Sequence, residues 1–249
     1  VNDEEQLTGG NTSDSVVRVG KTVRKPWQQK SAVVQSYLQS LRGAGVVAPE
    51  PLGRDSDNRH VVEYVAGDLA LNHLPLSTDA LFRIGRMVRQ IHDASETFPL
   101  PQREDWNLPL PAEAPNLMCH NDLAPWNLIV GERWVFIDWD GAGPSTRLWD
   151  LAYAAQSFSS MFEGQPVDEA AVNLKAFVSG YGADIELRKA LPDAMSQRTQ
   201  AMYDLLEESH RTGFQPWASM YVDGHGEHWR DASAYVQQNQ AAWEQALTI

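Results

Sequence analysis

The chain is poor in cysteine, in basic charge and in long apolar runs. It has one cysteine, Cys119, among 249 residues. A single thiol excludes an internal disulfide and predicts a protein of the reducing cytoplasm. No apolar run approaches the ~18–20 residues that span a bilayer, and no basic-then-apolar leader opens the sequence, so no membrane partner is predicted. Lys and Arg number 20 against 33 Asp and Glu, a formal net charge of −13. That balance is unsuited to gripping a phosphate backbone and argues against a nucleic-acid partner. Internal repeats and low-complexity tracts are also missing. What is present is ordinary globular usage, 43% hydrophobic and 21% charged. It excludes a disordered, collagen-like or coiled-coil chain.

The charge is unevenly placed. Residues 1–67 carry eight basic and eight acidic side chains, whereas residues 68–249 carry twelve and twenty-five. The split predicts two regions with different work. Within the first, residues 7–15 read as a polar, glycine-containing loop. Val16-Val17-Arg18-Val19 and Thr22-Val23-Arg24-Lys25 read as short strands around a Gly20-Lys21 turn, the second stopped by Pro26. Val33, Val34, Tyr37, Leu38 and Leu41 recur at helical spacing before Gly43 and Gly45. His60-Val61-Val62-Glu63-Tyr64-Val65 is a further strand, ended by Ala66-Gly67. The order is β-β-α-β.

The second region is mostly helical. Helical periodicity marks residues 79–92, 149–162, 168–180, 185–210 and 227–247. Between the first two lie a proline-rich connection and two apolar runs, Leu128-Ile129-Val130 and Trp134-Val135-Phe136-Ile137, which predict a second hairpin. Trp217, Tyr221, Trp229, Tyr235 and Trp243 stud the C-terminal part and predict aromatic core packing.

One segment concentrates the chemistry: Cys119-His120-Asn121-Asp122-Leu123-Ala124-Pro125-Trp126-Asn127, with Asp138 eleven residues further on. Phosphoryl transfer from a nucleotide accounts for the spacing. One carboxylate, Asp122, orients an acceptor hydroxyl and takes its proton. An amide oxygen and a second carboxylate, Asn127 and Asp138, hold Mg2+ against the phosphates. A hairpin between them returns the chain to its start and brings the two together.

His120-Asn121-Asp122…Asn127, Ile137-Asp138-Trp139 and Asp150-Leu151-Ala152 resemble, in order and spacing, the signatures of the aminoglycoside phosphotransferase family. The resemblance implies an α+β, protein-kinase-like two-lobed fold. A small β-rich lobe (1–67) would bind the nucleotide, and a larger, mainly helical lobe (68–249) would carry the catalytic loop and acceptor-binding helices. It implies ATP or GTP with Mg2+ as cofactors, Asp122 as catalytic base, and Asn127 and Asp138 as metal ligands. The backbone of Glu63 and Val65 would read the nucleobase edge. Arg24 or Lys25 would meet the phosphates, with Arg24 favoured, and residues 9–15 would cover them. His120 and Asp150 are expected to brace the loop, Asp150 also as a helix N-cap. Asp140 is open between a metal or substrate contact and a turn cap. Cys119 is expected to be buried.

Three features depart from the pattern. The loop has Gly9-Gly10 without the full glycine repeat, Asn121 replaces a glycine, and Gln35 stands where a glutamate ordinarily pairs with the phosphate-binding cation. Two readings follow. The first is a small-molecule kinase acting on a small hydroxylated acceptor. Asp204, Glu207 and Glu208 on a late helix suit a cationic acceptor such as an aminoglycoside or amino alcohol. The second is a kinase-like nucleotide- or metabolite-binding protein with little or no transfer. A protein kinase ranks below both, because no Ala-Pro-Glu segment follows Asp138. Oligomeric state is not legible.

Overall fold

The structure is a computed structural model and describes residues 4–7, 16–101, 106 and 108–248. The loop expected at residues 9–15 lies outside the described residues.

The N-terminal part is a five-stranded antiparallel sheet with one helix. β1 (Glu4–Gln6), β2 (Val17–Val19), β3 (Thr22–Pro26), β4 (Pro51–Arg54) and β5 (Arg59–Glu63) are ordered β1-β2-β3-β5-β4. The β2–β3 turn forms at Gly20, whose φ of 60° suits a residue without Cβ. Two strands exceed the expected β-β-α-β. β1 is acidic and fully exposed, and β4 contains Pro51 and Gly53, so neither carries a strand-like pattern. β4 exists because β5 offers it an edge. β3 pairs with β5 so that Lys25 lies opposite His60 and Val23 opposite Val62.

Helix α1 (Ser31–Gly43) buries Val34, Tyr37, Leu38 and Leu41, the stripe visible in the sequence. Tyr37 reaches beyond its own part of the chain. Its hydroxyl donates to the carbonyl of Met118 at 2.9 Å and lies 2.6 Å from Ser95 Oγ. It thereby ties the helix to the strand that leads into the motif segment.

The larger part is helical around short strands. β6 (Asp68–Leu69) leaves the first sheet and joins β8 (Leu128–Val130), which pairs with β9 (Val135–Phe136) as the expected second hairpin. β7 (Leu117–Cys119) pairs with β10 (Gly143–Ser145). Helix α2 (Thr78–Ser95) starts at Ser77, whose hydroxyl accepts from the Ala80 N–H. It crosses α4 (Val167–Tyr181) at two glycines. A Cβ on Gly85 would lie 2.1 Å from the Phe177 carbonyl oxygen, and one on Gly180 would lie 2.0 Å from that of Phe82. Only hydrogen fits at either point, so the pair sets how closely the helices approach. Fully buried Leu81, Ile84 and Val88 fill the α2 face, each contributing about 1.5–3 kcal/mol.

Helices α3 (Arg147–Phe158) and α5 (Ile185–Thr212) follow, with α6 (Trp217–Met220), α7 (Gly226–Gln238) and α8 (Gln240–Leu247). The single helix expected over 227–247 is broken at Asn239, whose φ of −109° and ψ of 20° end α7. Trp243 turns back, and its indole N–H donates to the Val236 carbonyl at 3.0 Å. Trp229, Tyr235 and Trp243 pack in the interior as expected. Among the described residues no helix is long and apolar enough to cross a membrane.

Candidate active site

The chain from β7 to β10 folds into a knot of short turns that gathers the motif residues. Asn127 ends a 3-10 turn (Pro125–Asn127) and opens β8. The Ile137 N–H donates to the Asn127 carbonyl at 2.8 Å, extending the β8–β9 ladder by one rung. The hairpin therefore sets Asp138 beside Asn127, as the spacing predicts. Asn127 Nδ2 donates to the Asp122 carboxylate at 2.8 Å and to its carbonyl at 3.0 Å. With the amide nitrogen committed, Oδ1 is the atom left for a cation. Asp122, Asn127 and Asp138 thus meet at one place.

Asp138 adopts a left-handed backbone, φ 56° and ψ 63°. For a non-glycine residue this costs of order 1–3 kcal/mol and persists only where surrounding contacts enforce it. Lys25 supplies one of them: its Nζ lies 3.2 Å from Asp138 Oδ1 and 2.6 Å from Asp140 Oδ1. Burial alone would lower the Lys25 pKa, but Asp140 and Asp138 outweigh it and hold the group charged. Asp138 is the mirror case. Burial pushes its carboxyl up, and Lys25 more than reverses this. Burial also raises the pKa of Asp122, and Asp138 adds to the rise. His120, Tyr153 and Asn127 act in the opposite direction.

Of the two candidate cations, only Lys25 reaches this cluster. Neighbouring strand residues face opposite ways. Arg24, the favoured one, pairs with Asp55 at 3.3 Å on the other face. Gln35 does not replace the missing glutamate either. Its amide spans the sheet, donating to the Val61 carbonyl at 3.0 Å and accepting from the Gly53 N–H at 2.9 Å. The acidic partners of Lys25 come from the other part of the chain. Lys30, just before α1, adds a second ammonium that donates to the Asp140 carbonyl, and burial lowers its pKa.

The expected braces are in place. The Asp122 N–H donates to His120 Nδ1 at 3.3 Å, so His120 Nε2 carries the proton and donates to the Ile137 carbonyl at 3.0 Å. The ring also packs on Trp139, with centroids 4.4 Å apart. Asn121 has φ 65°, a left-handed conformation that glycine and asparagine adopt more readily than other residues. Its side chain donates to the carbonyls of Gly141 and Gly143. Its backbone N–H donates to Asp150 at 2.8 Å. Asp150 is not the N-cap of α3, because Thr146 accepts from the Trp149 N–H in that role. Asp150 lies one turn in, where it holds the loop and pairs with His92.

Glu63 ends β5. Its carboxylate accepts from Arg133 and the Glu50 N–H, and its own N–H donates to the Glu50 carbonyl at 2.9 Å. Val65 packs on Ile129 and Val135. Next to it, a Cβ on Gly67 would lie 2.5 Å from Ile129 Cγ2, so a glycine is needed where the connection crosses β8.

These geometries frame the comparison with known proteins. Residues 100–191 match the phosphotransferase enzyme family. The chain is 28% identical over 237 residues to a trifolitoxin immunity protein of Rhizobium leguminosarum bv. trifolii, covering 87% of each. It superposes with a TM-score of 0.65 on a choline/ethanolamine kinase family protein from Mesorhizobium loti. That pair is 18% identical and covers 98% of this chain and 92% of the other. With the GDP complex of aminoglycoside 2'-phosphotransferase-IIIa the TM-score is 0.61 at 17% identity, covering 96% and 92%. The fold is that of the kinase-like phosphotransferases. The resemblance carried by the motifs therefore holds, as does the two-lobed α+β architecture.

Within this fold, three contacts go beyond the sequence. Asp140, whose role the sequence left open, shares Lys25 with Asp138. Tyr153 on α3 faces the Asp122 carboxylate with its hydroxyl, and Arg198 on α5 lies over the Tyr153 ring, 4.4 Å from its centroid. Only the two-residue offset from Asp138 hinted at the first; nothing local marked the other two. The acidic trio makes no hydrogen bond or ion pair with the Asp122 cluster among the described residues. Asp204, Glu207 and Glu208 are exposed and bind Gln200, Tyr203 and Arg211 along their own helix. Glu207 lies nine residues from Arg198, half a turn out of phase, on the opposite side of α5.

Proposed function

We propose that this chain is a small-molecule kinase that transfers the γ-phosphoryl group of ATP or GTP to a hydroxyl of a small acceptor. The observation that carries the reading is the convergence of Asp122, Asn127, Asp138 and Lys25 on one point, from elements far apart in sequence. Asp122 orients the acceptor hydroxyl and takes its proton. Its ionised form is kept available by the donors from Asn127 and Tyr153. The Oδ1 of Asn127 and the carboxylate of Asp138 are hard oxygen donors suited to Mg2+. That ion, when bound, neutralises charge on the phosphates. Lys25 meets the α- and β-phosphates, and the backbone of Glu63 and Val65 reads the base. Transfer through a loose transition state asks chiefly for positioning and charge neutralisation, which a half-buried, pre-paired cluster supplies.

An amine-bearing acceptor is supported by the names of the structural neighbours, a choline/ethanolamine kinase family protein and an aminoglycoside phosphotransferase. The relative named as a trifolitoxin immunity protein supports a toxin as the physiological acceptor. The second reading, nucleotide or metabolite binding with little transfer, is favoured by one observation. Gln35 is committed to backbone groups, so Lys25 has no helix-borne acid to hold it when Asp138 turns to a metal. A panel of hydroxylated amines with ATP or GTP and Mg2+ separates the two. Turnover that disappears in Asp122→Asn supports the kinase. Nucleotide-induced stabilisation without any Asp122-dependent turnover supports the binding protein.

A further inference from the structure

Arg198 is the most anomalous charged group in the interior. Its side chain retains 6% exposure. Its guanidinium sits over Tyr153 at 4.4 Å and near Trp149 at 5.6 Å from the ring centroids. Among the described residues it forms no ion pair and no hydrogen bond. Nη1 is enclosed without a partner, whereas Nε and Nη2 are not enclosed. Burial lowers its pKa, opposed by Tyr153, Asp122 and Asp150, none of which bonds to it. No other arginine among the described residues is buried to that degree, and the half-buried Arg59 and Arg147 hold carboxylates, Asp55 at 2.9 Å and Glu96 at 2.6 Å.

A guanidinium stays charged at any physiological pH, so it cannot escape desolvation by losing its proton. Two aromatic faces compensate only a fraction of that cost. The group has five N–H donors in a planar fork, a shape that matches a carboxylate. Its place is telling as well. Tyr153 joins it to Asp122, the group that would face the acceptor hydroxyl.

We infer that Arg198 receives a carboxylate of the acceptor, so that the acceptor is a hydroxylated molecule bearing an acid group within a few bonds of the hydroxyl to be phosphorylated. The inference rests on the kinase reading for the word acceptor and not for the binding event. Together with an amine it describes a zwitterion of the hydroxy-amino-acid type. The carboxylate takes the open edge of Arg198, Nε and Nη2, and offsets the charge, and the hydroxyl is left toward Asp122. The orientation is fixed by two points, a charge at Arg198 and a proton acceptor at Asp122.

Matched probes test this without knowledge of the physiological acceptor. L-serine and ethanolamine differ only by the carboxylate, as do L-threonine and 1-amino-2-propanol. Binding is measured calorimetrically to the full chain with ADP and Mg2+ present. The expected result is that a carboxylated probe binds about tenfold or more tightly than its partner, the effect of a charge-assisted paired contact. Arg198→Met removes that preference and leaves nucleotide affinity unchanged. Arg198→Lys, which keeps the charge without the fork, restores part of it and covers the case in which the methionine variant does not fold. Equal or weaker binding of the carboxylated members to wild type, including no binding, overturns the inference. So does a preference that survives in Arg198→Met. The same preference measured in Asp122→Asn separates this outcome from the kinase reading. That variant keeps the carboxylate preference whether or not the wild type transfers phosphate.

Discussion

Removing the imidazole of His92 tests how the catalytic loop is held. His92 is fully buried on α2. One ring nitrogen lies 3.0 Å from Asp150 Oδ2 and the other 2.9 Å from the Tyr181 hydroxyl. An ionised Asp150 only accepts, so Nε2 carries the proton and Nδ1 accepts from Tyr181. Asp150 in turn accepts from the Asn121 N–H at 2.8 Å, one residue before Asp122. In His92→Ala, Asp150 Oδ2 loses its donor, and the Tyr181 hydroxyl loses its acceptor and keeps only the Arg147 N–H at 3.3 Å. Leaving a buried carboxylate oxygen without its donor costs about 1–3 kcal/mol or more. A domain of this kind has about 5–15 kcal/mol in all, so the variant gives up a large part of its stability. Urea unfolding followed by tryptophan fluorescence measures this as a lower midpoint at unchanged slope. His92→Gln, which keeps a donor for Asp150, falls between the two. A loss below about 1 kcal/mol in His92→Ala refutes the reasoning, since it means that Asp150 is solvated or neutral and does not depend on His92.

Three further outcomes follow from single sites. His60 is buried with Nε2 unpartnered, and burial lowers its pKa to about 4, with Lys25 acting in the same direction. Its neutral form is the folded one, so its contribution is complete above the unfolded value near 6.5. It is lost as pH falls toward 4 and amounts to about 3 kcal/mol. The stability difference between wild type and His60→Leu, followed by urea unfolding from pH 7 to 4, should shrink in the wild type's disfavour by that order. A pH-independent difference contradicts the burial argument. Asn121→Gly should lose only the side-chain hydrogen bonds, whereas Asn121→Val should lose them and add strain of about 1–3 kcal/mol, because φ is 65° there; thermal unfolding distinguishes them. Lys25→Met should abolish nucleotide-induced thermal stabilisation while Arg24→Met retains it, and equal effects would contradict the placement of the two side chains.

Much of the candidate site was legible because it is local. The eight-residue frame from His120 to Asn127 and the hairpin to Asp138 are short enough for spacing to stand in for distance. The paired strands then close the geometry. The helical stripe of α1 and the β2–β3 hairpin were legible for the same reason: their periodicity is written in consecutive residues. β1 and β4 were not, since a strand of exposed acids and one holding proline and glycine form only when a neighbour presents an edge. Arg24 was favoured over Lys25 from sequence, and only the sheet's facing could decide between adjacent positions.

The sequence by itself determined the chemistry on offer: a carboxylate, an amide and a second carboxylate at spacings that a hairpin can close. Tertiary structure alone decided which cation meets them and what holds it in place of the missing glutamate. The physical reason is range. Hydrogen-bonded ladders and helical turns act over a few residues and leave a pattern in the chain. Lys25 and Asp138, or Tyr153 and Arg198, are brought together by packing of whole elements, which leaves no mark in the order of either neighbourhood.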